Sequence, residues 1–281
     1  MVLLWSGNYI IAKVALREFP PLLLLVFRSL FSGLLMLPFL VKELRKRTTR
    51  FTTRDILIYT VIGIFGVFGN QCFFVLGISR TNVTHSSVII ATGPIWVLLF
   101  TWLMGMEKIT RIKLAGLSLS ITGVIILQLF RAAPSANGPT LAGDAGILMA
   151  ALLFAAMTAF SKRYNPGASS IIVNSIGYIG GAILFLPVGA WYWGRTDFHQ
   201  FSAAAWGGVF YMAAFSSVAC YLIYYWVLER ISASRIAAFS YLQPFCATLM
   251  AVYALGEQLT VPAIVSGLAI LAGVVLTERF E

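Results

Sequence analysis

Apolar runs of about 20 residues, separated by short polar stretches, recur ten times along the chain, and no other feature constrains its fold as strongly. An α-helix rises 1.5 Å per residue, so about 20 residues carry it across about 30 Å of hydrocarbon. The runs fall near 1–16, 22–41, 56–78, 83–104, 112–130, 142–161, 170–191, 203–227, 234–255 and 261–277. Ten of them use about 200 of the 281 residues, which leaves short loops and no separate soluble domain. Only 11% of the residues are charged, where a soluble domain carries about a quarter, so most of the surface must face something other than water. The expected fold class is therefore an all-α integral membrane protein with ten transmembrane helices.

A net charge of +10 would point to nucleic acid in a soluble protein, but here the basic residues first have to be read as topology signals. An even number of spans puts both termini on one side. That side collects Lys42, Arg45, Lys46, Arg47, Arg50, Arg54, Lys108, Arg111, Lys113, Lys162, Arg163, Arg230, Arg235 and Arg279, which is 14 residues. The other side has four, Arg17, Arg80, Arg131 and Arg195, so the positive-inside rule places both termini in the cytoplasm. The run from Lys42 to Arg54 reads as an anchor against anionic lipid headgroups, and no nucleic-acid partner is expected. Cys72, Cys220 and Cys246 lie inside apolar runs and are odd in number, so no disulfide framework is expected. Met1 to Leu16 has no basic leader and is followed by further spans, unlike a cleavable signal peptide.

Shifting the chain by 150 residues exposes a repeat. Arg80 falls on Arg230, Pro94 on Pro244, Glu107 on Glu257, Thr110 on Thr260 and Gly123 on Gly273. Charged residues and proline are scarce here, so the coincidence is informative. The expected units are 1–131 and 141–281, two five-helix repeats making one transmembrane domain. Five is odd, so the second copy enters the membrane from the opposite side, the build with which secondary transporters open a central site to each side in turn. The shift also places the matching start of the first span about nine residues before Met1.

The Trp5-x-Gly7-Asn8 to Lys13 stretch, Arg28, the two prolines, and the Gly105-x-Glu107-x-x-Thr110 and Gly256-Glu257-x-x-Thr260 ends resemble the EamA family of the drug/metabolite transporter superfamily, over essentially the whole length. That resemblance implies a ten-helix bundle whose central cavity is lined by helices one to four and six to nine, with the fifth helix of each half peripheral. It also implies export of amino acids or other metabolites, and a bacterial inner membrane. The second half has Ala155 and Arg163 where the first has the tryptophan and lysine, so the site need not be symmetric.

Ionisable side chains are costly inside a membrane, which makes their inventory decisive. All ten acids fall in loops or at span ends, which argues against a small multidrug-type antiporter and favours facilitated diffusion or exchange. Lys13, Arg28 and His85 are the cationic candidates, placed to hold a substrate carboxylate or phosphate, with His85 the proton-sensitive group. Trp5, Asn8, Tyr9, Trp96, Tyr178, Tyr221, Tyr241 and Gln243 are the expected aromatic and amide lining for a small amphipathic substrate. Pro94 and Pro244 are expected hinges, because each removes a backbone hydrogen bond in mid-helix. Gly63, Gly66 and Gly69 should let another backbone approach, while Asn70 and Gln71 either bridge helices or meet substrate. Glu107 and Glu257 read as helix finishers. No catalytic, metal or cofactor constellation is legible, so an integral membrane enzyme is the weakest alternative and a carrier of phosphorylated or nucleotide-linked metabolites the next. A monomer or homodimer is expected.

Overall fold

The computed structural model describes residues 1–46, 51–106, 108, 110–129, 139–164, 170–230, 233, 236, 242–256 and 260–279. Among these residues every regular element is helical. We number the helices α1 (Val2–Ala15), α2 (Pro21–Lys46), α3 (Thr53–Ile78), α4 (Val83–Leu103), α5 (Arg111–Leu129), α6 (Leu141–Tyr164), α7 (Ser170–Trp193), α8 (Ala203–Leu228), α9 (Leu242–Leu255) and α10 (Val261–Arg279). Six of them, α2, α3, α4, α6, α7 and α8, are long and apolar enough to cross a membrane.

Local chemistry sets the ends. Thr52 and Asp55 form a reciprocal capping box that starts α3 three residues before its apolar run. Asn82 caps α4 and Ser202 caps α8, each accepting a backbone N–H with its side chain. Gly105 and Gly256 end α4 and α9 with φ of 71° and 67°, the left-handed conformation that glycine adopts without a Cβ clash.

Three helices are irregular within their spans. The helix of α4 ends at Ile90 and resumes at Gly93, because Pro94 can supply no N–H; the Thr92 amide and hydroxyl both donate to the Ile89 carbonyl instead. In α3 and α8 the wider π-helical turn runs over Val61–Gly69 and Met212–Ala219, positions that the 150-residue shift nearly superimposes. Carbonyls within the second π stretch serve other helices: Ser216 accepts from Trp5 Nε1 at 3.1 Å and Ala213 from Ser32 Oγ at 3.4 Å.

Packing between the halves recurs with roles exchanged. Helix α1 packs on α9 as α6 packs on α4, α3 packs on α6 as α8 packs on α1, and α3 packs on α7 as α8 packs on α2. The pairs α2–α7 and α5–α10 are each their own counterpart. Small residues permit the closest crossings. A Cβ on Gly63 would lie 2.8 Å from Gly177 N, and one on Gly123 would lie 2.8 Å from the Ser266 carbonyl oxygen. Ser120 Oγ donates to the carbonyl of Ile270, its own equivalent at a separation of 150, at 3.1 Å. All three cysteines are free.

Candidate functional site

The break in α4 and the turns that follow the π stretches of α3 and α8 border a cavity of about 80 Å³. Trp5, Asn8 and Tyr9 come from α1, Arg28 from α2, Asn70, Gln71 and Phe74 from α3, and Ile90, Gly93, Pro94 and Val97 from α4. Ala151 and Phe154 of α6, Tyr221 of α8 and Gln243 of α9 complete the wall. Both halves contribute, while α5 and α10 contribute none of the described lining.

A hydrogen-bonded unit holds the floor. Tyr221 Oη accepts from Gln71 Nε2 at 3.0 Å and donates to Asn70 Oδ1 at 2.8 Å, and Asn70 Nδ2 donates to the Ala150 carbonyl at 2.7 Å. Gln71 and Tyr221 are repeat equivalents, 150 residues apart, and each follows its π stretch by two residues. The unit therefore sits where the two halves meet as counterparts. Above it the rings of Trp5, Phe154 and Tyr221 pack edge to face, with centroids 5.7 to 6.1 Å apart.

Arg28 is 2% exposed, and its Nε donates to Ser217 Oγ at 3.0 Å. Its Nη1 is buried without a hydrogen-bond partner, and so is Asn8 Oδ1. The described lining includes no acid. A guanidinium taken out of water costs several kcal/mol unless an anion and further hydrogen bonds compensate, so Nη1 is chemically able to hold an acceptor that carries negative charge.

Of the residues the sequence singled out, Trp5, Asn8, Tyr9, Arg28, Tyr221, Gln243 and Pro94 meet at the cavity. Lys13, one turn beyond Tyr9 on α1, is not among the lining residues. His85 turns instead to Asp144, with Nδ1 3.2 Å from Oδ2. Trp96 donates from Nε1 to Thr92 Oγ1 at 3.0 Å and packs outside the cavity. Tyr178 stands behind Tyr221, ring centroids 6.3 Å apart, and is fully buried. Tyr241, Glu107 and Glu257 lie outside the described residues, and Pro244 enters α9 as its third residue. Asn70 and Gln71 also line the cavity, together with Phe74, Phe154, Ile90, Gly93, Val97 and Ala151.

Asp144 stands at a span end as expected, in the first turn of α6, yet it is 3% exposed there, accepts from the Thr81 hydroxyl and meets His85. Its burial comes from Gly77, Gly143 and Gly146, which let α6 and the end of α3 touch backbone to backbone.

With this geometry in view, the profile of the EamA-like transporter family matches residues 1–129 and again residues 141–279. The chain belongs to the EamA-like transporter family. It is a multi-pass membrane protein of a transporter family, not an enzyme family. An uncharacterized transporter of Archaeoglobus fulgidus is 25% identical over 276 residues, covering 98% of this chain and 94% of that protein. The uncharacterized transporter YetK of Bacillus subtilis is 24% identical, over 98% of this chain and 77% of its own. The uncharacterized inner membrane transporter YedA of Escherichia coli is 24% identical, over 92% and 82%. A solved crystal structure superimposes with a TM-score of 0.68 over 99% of this chain and 93% of that one, at 16% identity, a likeness of fold alone.

Proposed function

We propose that this EamA-like transporter is a secondary carrier of small organic metabolites, an exporter of amino acids or related compounds, in a bacterial inner membrane. Ten spans form two inverted repeats, 1–131 and 141–281, with both termini cytoplasmic, and the halves rock to open the central cavity to each side alternately. The exchanged packing roles of the two halves support that symmetry, as does the meeting of Gln71 with its equivalent Tyr221. Pro94 and the paired π stretches supply the bends.

The observation that carries the reading is the unpartnered Nη1 of Arg28 in a cavity whose described lining includes no acid. A substrate carboxylate satisfies it. Asn8 Oδ1 offers an acceptor for a donor on the same molecule, and the rings of Trp5, Tyr9, Phe74 and Phe154 hold an apolar body. A single lining cation suits a monoanion better than a phosphate ester.

Counterflow in liposomes containing the purified protein tests this. Radiolabelled members of an amino-acid panel should accumulate transiently against an unlabelled internal pool. Flat traces across amino acids, nucleosides and organic phosphates would refute the reading, and strong competition by inorganic phosphate would move it to phosphorylated substrates.

A further inference from the structure

Thr81, His85 and Asp144 are not among the residues that line the cavity. They join the halves, with Thr81 and His85 at the corner between α3 and α4 and Asp144 on α6. All three side chains are buried, Thr81 at 1%, Asp144 at 3% and His85 at 7% exposure. The seam around them is shut by backbone. A Cβ on Gly143 would lie 2.6 Å from the Arg80 carbonyl carbon, and one on Gly146 would lie 3.0 Å from Gly77 Cα. The amide and hydroxyl of Thr140 both donate to the Arg80 carbonyl, at 3.0 and 2.7 Å. The 150-residue shift places Ile231 and Arg235 where Thr81 and His85 stand, so the cluster distinguishes this end of the bundle from the other.

The surrounding charges are few. Helix α1 brings Tyr9 and, in its last turn, Lys13; the end of α3 brings Arg80, whose side chain is exposed. Helix α9 contributes Cys246 and no charged residue in its described length. The charges of α5, Arg111 and Lys113, lie in its first turn, those of α10, Glu278 and Arg279, in its last, and the other charges of α6, Lys162 and Arg163, at its far end.

We propose that His85 and Asp144 form a proton-binding site, occluded while this end of the bundle is shut and wetted when α4 and α6 part, so that opening of this end is tied to proton exchange. In the shut state one proton lies between Nδ1 and Oδ2, and the Thr81 hydroxyl donates to the other carboxylate oxygen. Parting the helices breaks the N–H···O contact, and the proton stays on the imidazole or passes to water on that side; no covalent bond to a heavier atom is made or broken. Linkage makes the effect reciprocal, so pH on that side biases opening and opening changes proton occupancy. Proton-coupled export then replaces simple exchange. This last step rests on the carrier reading, whereas the proton site itself does not.

Two measurements separate them. The chain has two histidines, His85 and His199, so in His199→Gln protein the imidazole NMR signal belongs to His85 alone. Its ring signal should respond to pH differently in the additional Asp144→Asn variant, because the carboxylate that faces Nδ1 is gone. Superimposable curves from two monodisperse proteins would overturn the site, whatever the protein transports. In liposomes loaded with a pH-sensitive dye, an amino acid that shows counterflow should also move protons through the wild-type and His199→Gln proteins. With Asp144→Asn or His85→Gln the proton signal should fall to that of protein-free liposomes. Wild-type counterflow without proton movement would overturn the coupling.

Discussion

Arg28 is the residue on which the proposed carrier depends most. A hydrogen bond to a charged group contributes about 1.5–3 kcal/mol, so Arg28→Ala should weaken apparent substrate affinity by about 10- to 100-fold. Arg28→Lys keeps a charge but loses the fork that reaches Ser217 and the cavity together, and should fall between the two. The concentration dependence of counterflow measures both, and an Ala variant with wild-type affinity would remove Arg28 from the site. This residue was legible in the sequence because a cation two turns inside an apolar run has few other reasons to be there. Phe74 and Phe154 were not, since they are two of 21 phenylalanines and nothing in their spacing separates a wall from a lipid contact. The burial of Asp144 was not legible either, for a physical reason. It stands in the first turn of a helix, where an acid is ordinarily wet, and only the glycine-lined seam packed over it excludes water.

Helices and their junctions carry the next set of consequences. Glu18, in the corner after α1, accepts from Ser202 N at 2.6 Å and from Ser202 Oγ at 2.7 Å, which clasps the N-terminal cap of α8. The Ser202 hydroxyl and then its amide hold the Glu18 carboxyl below its ordinary range. The clasp therefore stabilises the fold fully above the range of an unperturbed glutamate and is lost as pH falls through the lowered native value. Thermal unfolding of wild type and Glu18→Gln from about pH 7 to about pH 3 should show a gap that closes at the acid end, and a gap independent of pH would contradict the clasp.

Where α3 crosses α7, Gly63→Ala would set a Cβ 2.8 Å from both Gly177 N and the Val173 carbonyl oxygen, an overpacking that costs about 1–3 kcal/mol. Lower thermal stability with unchanged substrate selectivity is the expected outcome. The spacing of Gly63, Gly66 and Gly69 announced a close approach, but not that its partners are Gly177 and Met157. The π stretches left no trace in the sequence, because they are chosen by what the widened turn presents to other helices.

At the scale of the molecule, the symmetry and the membrane make a joint demand. Packing that recurs with roles exchanged requires a two-fold relation between the halves. Contacts between equivalents 150 residues apart, Gln71 with Tyr221 and Ser120 with Ile270, put both pairs on its axis. A two-fold along the membrane normal would leave the halves in the same orientation and the chain with an even number of crossings per half. A two-fold in the membrane plane inverts the second half and needs an odd number, a need that the five crossings proposed for each half would meet. The expected absolute side, with both termini cytoplasmic, comes from the basic residues, 14 against four. Reporter fusions decide the matter. A cytoplasm-active fluorescent protein joined after Glu281 should be bright, and so should one after Arg163. A periplasm-active phosphatase joined after Arg131 or Arg195 should be active, and the same phosphatase after Arg163 should be silent. If the fusions after Arg131 and Arg163 report the same side, α6 does not cross, the halves are parallel rather than inverted, and rocking about an in-plane axis is ruled out as the transport movement.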